Sequence, residues 1–313
     1  MQIAVGIDIG GTNTKWGLVT NKGDILKEGV ISTKAYPEAK QLVDAVAQNL
    51  QKALDELDNH SLIGIGIGAP NGNYFNGTVE FAPNLSWEGI VPLQQLFEAH
   101  FDVPIWVTND ANAAAMGEMQ YGTAKGLRDF LVVTLGTGLG SGFVVDGKVA
   151  YGHDGFAGEL GHTIIDIQGR QCGCGRKGCL ETYVSATGLV RTVQQLLQEN
   201  QLPSTLEDNA LLTAKRIGEA AHTGDELALA AFDLTAQKLG LALANAVAIT
   251  SPKMIILFGG LAQSGDLLLL PTRQYFEDFL LNIFKNKVQL VNSIIPAHYA
   301  AILGASALVW NAT

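Results

Sequence analysis

"IAVGIDIGGTNTKWGLVT", residues 3–20, is the stretch on which the fold turns: an apolar strand, a glycine turn, then a second strand. Outward from it, DILKEGVIS (24–32) reads as a third strand and EAKQLVDAVAQNLQKALDELD (38–58) carries helical spacing. LIGIGIGAP (62–70) is a short apolar run ending in proline, suited to a buried strand. After an irregular stretch, VPLQQLFEAHF (91–101) predicts a short helix, PIWVTND (104–110) a strand and ANAAAMGEMQYG (111–122) a helix. Near residue 130 the opening pattern returns: FLVVTLGTGLGSGFVVDGKVAYG (130–152) is again strand, glycine turn, strand. Helical segments LVRTVQQLLQE (189–199), ALLTAKRIGEAA (210–221) and about 225–249 follow, then the strand KMIILFGGLA (253–262) and a closing helix, AILGASALVW (301–310). The alternation predicts a layered α/β protein, and the repeated opening implies two duplicated halves.

Composition bounds the function. With 313 residues, 47% of them hydrophobic, the chain has material for a substantial core and two domains. A formal net charge of −10 argues against a nucleic-acid partner, because a phosphate backbone is held mainly by clustered Lys and Arg. MQIAVGIDIG lacks the features of a signal peptide, and no apolar run reaches the roughly 18–20 residues of a membrane span. A cytosolic protein without membrane contact is the expectation.

In the first turn, Asp8 ends an apolar strand and precedes Gly10, Gly11 and Thr12. Glycines there let the backbone approach a ligand, and successive N–H groups can cradle phosphate oxygens. A plain hairpin turn reads the same way. Gly136, Thr137, Gly138 and Gly140 repeat the device, and Gly259 with Gly260 ends a third apolar strand, so three turns favour a nucleotide site. Neither the P-loop nor the dinucleotide fingerprint is present. Asp8 suits a magnesium ion held through water and phosphates, or caps its own turn. Asn109 and Asp110 stand where a buried strand gives way to a helix. Asp110 is either that helix's N-cap, an ionised carboxylate aligned for phosphoryl transfer, or both; Asn109 can bond a sugar hydroxyl.

All three cysteines fall in HTIIDIQGRQCGCGRKGC, residues 162–179. Any single disulfide leaves an odd thiol, whereas His162, Cys172, Cys174 and Cys179 form the ligand set of a structural zinc with no open position. Arg170, Arg176 and Lys177 can offset the thiolate charge. The metal would fix the neighbouring Glu159 and Glu181 and the free ring nitrogen of His162, a group suited to a polyhydroxylated ligand. Alternatively, both glutamates are surface residues.

These motifs together (DIGGTNTK, APNLSW, TNDANAAAMGE, LGTGLGSG, GELGH, CGCGRKGCLE and FGG) resemble the ROK family (repressor, open reading frame, kinase), specifically its bacterial sugar kinases, over essentially the whole chain. The resemblance implies a duplicated actin-like, ribonuclease-H-like α/β fold with two domains around a central cleft: residues 1–120 plus 301–313, and 121–300 carrying the zinc loop 162–179. It implies phosphorylation of a hexose, glucose first, at the 6-hydroxyl by ATP with Mg2+, beside a structural Zn2+. Asp110 would be the catalytic base. Asn84, Asn109, Asp110, Glu159, His162 and Glu181 would bind the sugar. Asp8, Gly10, Gly11, Thr12, Lys15, Gly136, Thr137, Gly138, Gly259 and Gly260 would hold the nucleotide and its magnesium. A homodimer is also implied. GAPNG (68–72) departs from the family's usual GxPGPVD and places Asn71 on the sugar side, which touches sugar preference. Competing readings are a kinase for N-acetylmannosamine, allose, mannose or fructose, a sugar-responsive repressor, or a sensor without catalysis. The repressor would need a DNA-reading helix, for which seven residues ahead of Asp8 leave no room.

Overall fold

A computed structural model describes residues 1–199, 202–206 and 211–312. The chain divides into two compact units, 1–127 with 148–157 and 294–313, and 128–147 with 158–293. The borders expected from sequence, 120/121 and 300/301, stand several residues away, and the segment 148–157 joins the first unit. Thr313 and Ala210, which begins one expected helix, lie outside the described residues.

The first unit contains β1 (Gln2–Ile9), β2 (Asn13–Val19), β3 (Ile25–Ser32), α1 (Ala39–Asp55), β4 (Ser61–Gly68), β5 (Gly72–Asn73), β6 (Thr78–Glu80), β7 (Ile90–Val91), α2 (Leu93–Glu98), β8 (Ile105–Thr108) and α3 (Asp110–Tyr121). Its main sheet runs β3-β2-β1-β4-β8, with β1, β4 and β8 parallel. Helices cover such a parallel core, so β1 is buried on both faces, from Ile3 through Ile7. On α1, Leu42, Val43, Val46, Ala47, Leu50 and Ala53 form the buried stripe that helical spacing requires. β5, β6 and β7 make a small antiparallel sheet in the stretch read as irregular.

In the second unit, β9 (Phe130–Leu135) and β10 (Leu139–Val145) form the repeated hairpin, while the two-residue β11 (Lys148–Val149) opens the segment that belongs to the first unit. Then come α4 (Ala186–Glu199), α5 (Ala214–His222), α6 (Glu226–Thr250), β12 (Met254–Phe258), α7 (Asp266–Phe279) and β13 (Gln289–Asn292). The strand run β10-β9-β12-β13 repeats β2-β1-β4-β8, down to the parallel pairing of its last three members. The duplicated architecture expected from residue 130 onward is therefore present. α6, expected from sequence at about 225–249, is long and apolar enough to cross a membrane, against the expectation that no apolar run reaches that length, but it lies in the second core with Phe232, Leu239 and Leu243 buried.

The last helix, α8 (Ala300–Ala312), packs on β1 and β4. Two strand glycines permit it: a Cβ on Gly6 would stand 2.1 Å from the Ile302 carbonyl oxygen, and one on Gly66 1.9 Å from that of Ala305.

Candidate active site

Parallel strands end on one edge of a sheet, and ligands of open α/β sheets collect there. In the first unit that edge gathers Asp8, Gly68 and Thr108, which are consecutive register partners, and the chain then enters α3 through Asn109 and Asp110. Asn109, not Asp110, caps the helix: its Oδ1 accepts from the Ala111 N–H at 2.8 Å. Asp110 is the first helical residue, and its Oδ1 shares the same N–H, also at 2.8 Å. This corrects the N-cap reading and leaves the Asp110 carboxylate without a side-chain donor among the described residues. The Asn109 amide nitrogen is likewise not used by the cap.

Solvent reaches Asp110. Protein nevertheless crowds it closely enough that burial lifts its carboxyl above the ordinary value, opposed by the backbone bonds from Ala111 and its own N–H. Burial, and then the Asp110 charge, push Asp8 up to about 7 against the pull of its cross-strand partner Lys15. A desolvated carboxylate whose ionisation a second carboxylate disfavours makes a fitting place for a divalent cation.

The glycines divide into two kinds. A Cβ on Gly11 would stand 2.3 Å from the Asn84 carbonyl oxygen, so the first turn is glycine because the APNLSW loop lies against it. This brings Asn84 to Gly10, Gly11 and Thr12. Asn71, with φ of 52°, donates through Nδ2 to the carbonyls of Glu80 at 2.9 Å and Phe81 at 3.2 Å. Its Nδ2 is thus committed to a turn of its own chain.

In the second unit, β9 and β12 run parallel, so the turn after Leu135 and the turn after Phe258 share one edge. Gly259, at φ +103°, lets this close approach happen: its Cβ would lie 2.6 Å from the Leu135 carbonyl oxygen. Gly136 and Gly260 would meet nothing within 4 Å. Gly138 would meet Glu181 Oε2 at 2.3 Å, and the same oxygen accepts from the Leu139 N–H at 2.9 Å. Sequence reading missed this link between turn and carboxylate, which spans 42 positions.

The metal-ligating atoms of His162, Cys172, Cys174 and Cys179 all lie within 4.8 Å of one another. Cys172 Sγ is 3.7 Å from His162 Nδ1, and Cys174 Sγ is 3.6 Å from Cys179 Sγ. Tetrahedral zinc with bonds of about 2.0–2.3 Å needs ligand separations of roughly 3.3–3.8 Å, so the donor set fits zinc. Nδ1 is the nitrogen on the metal side, and Nε2 stands 3.9 Å from Glu159 Oε2. Arg176 donates to the His162 carbonyl at 2.9 Å. Burial raises the Cys174 thiol, but Arg176, through backbone and side chain, together with the neighbouring Cys172 and Cys179 thiols outweighs it and brings the thiol down to about 6. Arg170 does something else than offset thiolate charge: its guanidinium donates to the Thr182 and Gly188 carbonyls at 2.9 and 3.2 Å and to Thr192 Oγ1 at 3.0 Å.

The chain matches the ROK family over residues 4–312. It belongs to the ROK family. Among relatives of this ROK-family chain, the glucokinase of Halalkalibacterium halodurans is 38% identical over 88% of this chain and 86% of its own. The glucokinase of Streptomyces coelicolor is 36% identical over 98% of both chains. Among solved structures, a ROK family glucokinase from Streptomyces griseus in complex with glucose and AMPPNP superposes with a TM-score of 0.81 at 34% identity, covering 99% of each chain.

Proposed function

We propose that this ROK-family chain is a glucokinase that moves the γ-phosphoryl group of ATP to the 6-hydroxyl of glucose. The observation that carries the reading is Asp110: an accessible, desolvated carboxylate at the first position of α3, on the sheet edge where Asp8 also ends. Phosphoryl transfer asks for little covalent work from a protein, so alignment and charge placement supply most of the catalysis. Asp110 accepts the proton of the 6-hydroxyl as its oxygen bonds to the γ-phosphorus and the bond to ADP breaks. Burial that lifts the carboxyl makes it a better proton acceptor than an ordinary aspartate.

Sugar hydroxyls are held by the Asn109 amide, Asn84, Glu159, His162 through Nε2, and Glu181. Gly10, Gly11, Thr12 and Lys15 serve the phosphates from the first turn, Gly136, Thr137 and Gly138 from the second, and Gly259 and Gly260 lie toward adenosine. Asp8 orients the magnesium, which when bound neutralises charge on the phosphate oxygens. His162, Cys172, Cys174 and Cys179 hold a zinc whose four protein ligands leave no position for activated water, so its contribution is architectural. The Asn71 Nδ2 donates to backbone carbonyls, so only its Oδ1 is left to bear on sugar preference. We further place the protein in the cytoplasm as a homodimer; sedimentation giving a monomer at assay concentration would remove the second statement.

Steady-state kinetics of Asp110→Asn test the proposal. Turnover falls roughly a hundredfold or more, the worth of a lost general base, while KM for glucose stays within a few-fold. Retained turnover would overturn the assignment of the base.

A further inference from the structure

The segment just after the last cysteine ties the metal knot to the second glycine turn by three hydrogen bonds. Leu139 N–H donates to Glu181 Oε2 at 2.9 Å, Ala186 N–H to the Gly136 carbonyl at 2.9 Å, and Thr187 Oγ1 to the Thr137 carbonyl at 2.9 Å. Within the turn itself, Gly136 N–H also donates to the Gly138 carbonyl, at 3.0 Å. From the other side the same segment is clamped by Arg170, a residue of the cysteine loop, through the Thr182 and Gly188 carbonyls. Cys179 is the N-cap of the short helical turn 180–182 that leads into Glu181's bonds.

We propose that residues 181–187 form a brace that couples sugar occupancy to the shape of the nucleotide turn, with Glu181 as the shared carboxylate and Thr187 as a positioning residue. The inference rests on the kinase reading above. One carboxylate oxygen is committed to the Leu139 N–H. A sugar hydroxyl held on the same carboxylate therefore fixes the orientation of a group that shapes residues 136–139. Thr187 touches the turn only through a backbone carbonyl and has no part in binding sugar. Its loss separates the nucleotide side from the sugar side.

The test is calorimetric titration of a non-hydrolysable ATP analogue, with and without saturating glucose, into the zinc-loaded full chain. In the unmodified protein glucose tightens analogue binding roughly tenfold, within the usual range for coupled sites. Thr187→Val weakens analogue binding about fivefold, the scale of one neutral hydrogen bond, leaves glucose affinity within twofold, and is rescued by Thr187→Ser. Glu181→Ala, measured at glucose concentrations high enough to saturate it, abolishes the coupling, whereas Glu181→Gln keeps an acceptor for Leu139 and retains most of it. Melting curves of each variant separate misfolding from a local effect. Analogue binding unchanged in Thr187→Val, or coupling intact in Glu181→Ala, overturns the brace. An unmodified protein that binds neither glucose nor analogue overturns the kinase reading instead.

Discussion

Asp8 and Asp110 carry opposite demands at one sheet edge. Asp8 keeps its proton in the folded chain up to about 7, against an ordinary value of 3.8. Through that window the unfolded chain is ionised while the folded chain is protonated, so unfolding releases a proton and stability falls as pH rises. Asp8→Asn removes the penalty. In zinc-loaded protein without magnesium at pH 7.5 it raises the melting temperature by about 2 °C or more, and at pH 4.5 the difference shrinks; equal shifts at both values would mean that Asp8 is not desolvated as described. For Asp110 the sign is set by catalysis: the base must be ionised, so kcat falls as pH drops through its raised value. A flat acid limb well above the ordinary carboxylate range would argue against it. Gly136 and Gly138 supply a contrast of their own. Gly136→Ala meets no protein atom and leaves the melting temperature unchanged while raising KM for ATP, whereas Gly138→Ala displaces Glu181 and raises KM for glucose as well. The reverse pattern would place the nucleotide elsewhere.

At the level of elements, the zinc loop is the clearest case of chemistry concentrated enough to be read from sequence. His162, Cys172, Cys174 and Cys179 lie within one short segment, and the structure draws their ligating atoms together. Cys174→Ala opens the ligand set; zinc per chain measured by atomic emission falls from one to well below it, and the melting temperature drops by several degrees. An unchanged melting temperature would show that the loop does not depend on metal. The place of Asp110 is legible for a similar reason, since the end of a buried strand and the start of a helix both announce themselves locally. The Glu181 link to Leu139 is not, because its partners are far apart in the chain and neither residue looks unusual alone. Arg170 stands among cysteines, yet its guanidinium is drawn to carbonyls of the segment leading into α4, a choice made by tertiary geometry. α7 escaped because Pro271 interrupts its helical pattern, although the helix continues through it, and β13 because four residues carry too little periodicity.

For the molecule as a whole, duplication explains why one chain carries two such edges. Each copy ends parallel strands on glycine turns or carboxylates, and the two copies have specialised: Asp8, Asn84, Asn109 and Asp110 in the first unit, the metal knot, Glu181 and the turns at 136–139 and 259–260 in the second. Family membership accounts for the shared frame; the acceptor sugar is a matter for the site. The measurement that bears most directly on it is ADP release over a panel of hexoses and N-acetylhexosamines, with the phosphorylated product identified by phosphorus NMR. The account predicts release that depends on sugar, is fastest with glucose and yields glucose 6-phosphate. Release equally fast without sugar, or a clear preference for N-acetylmannosamine, would contradict it.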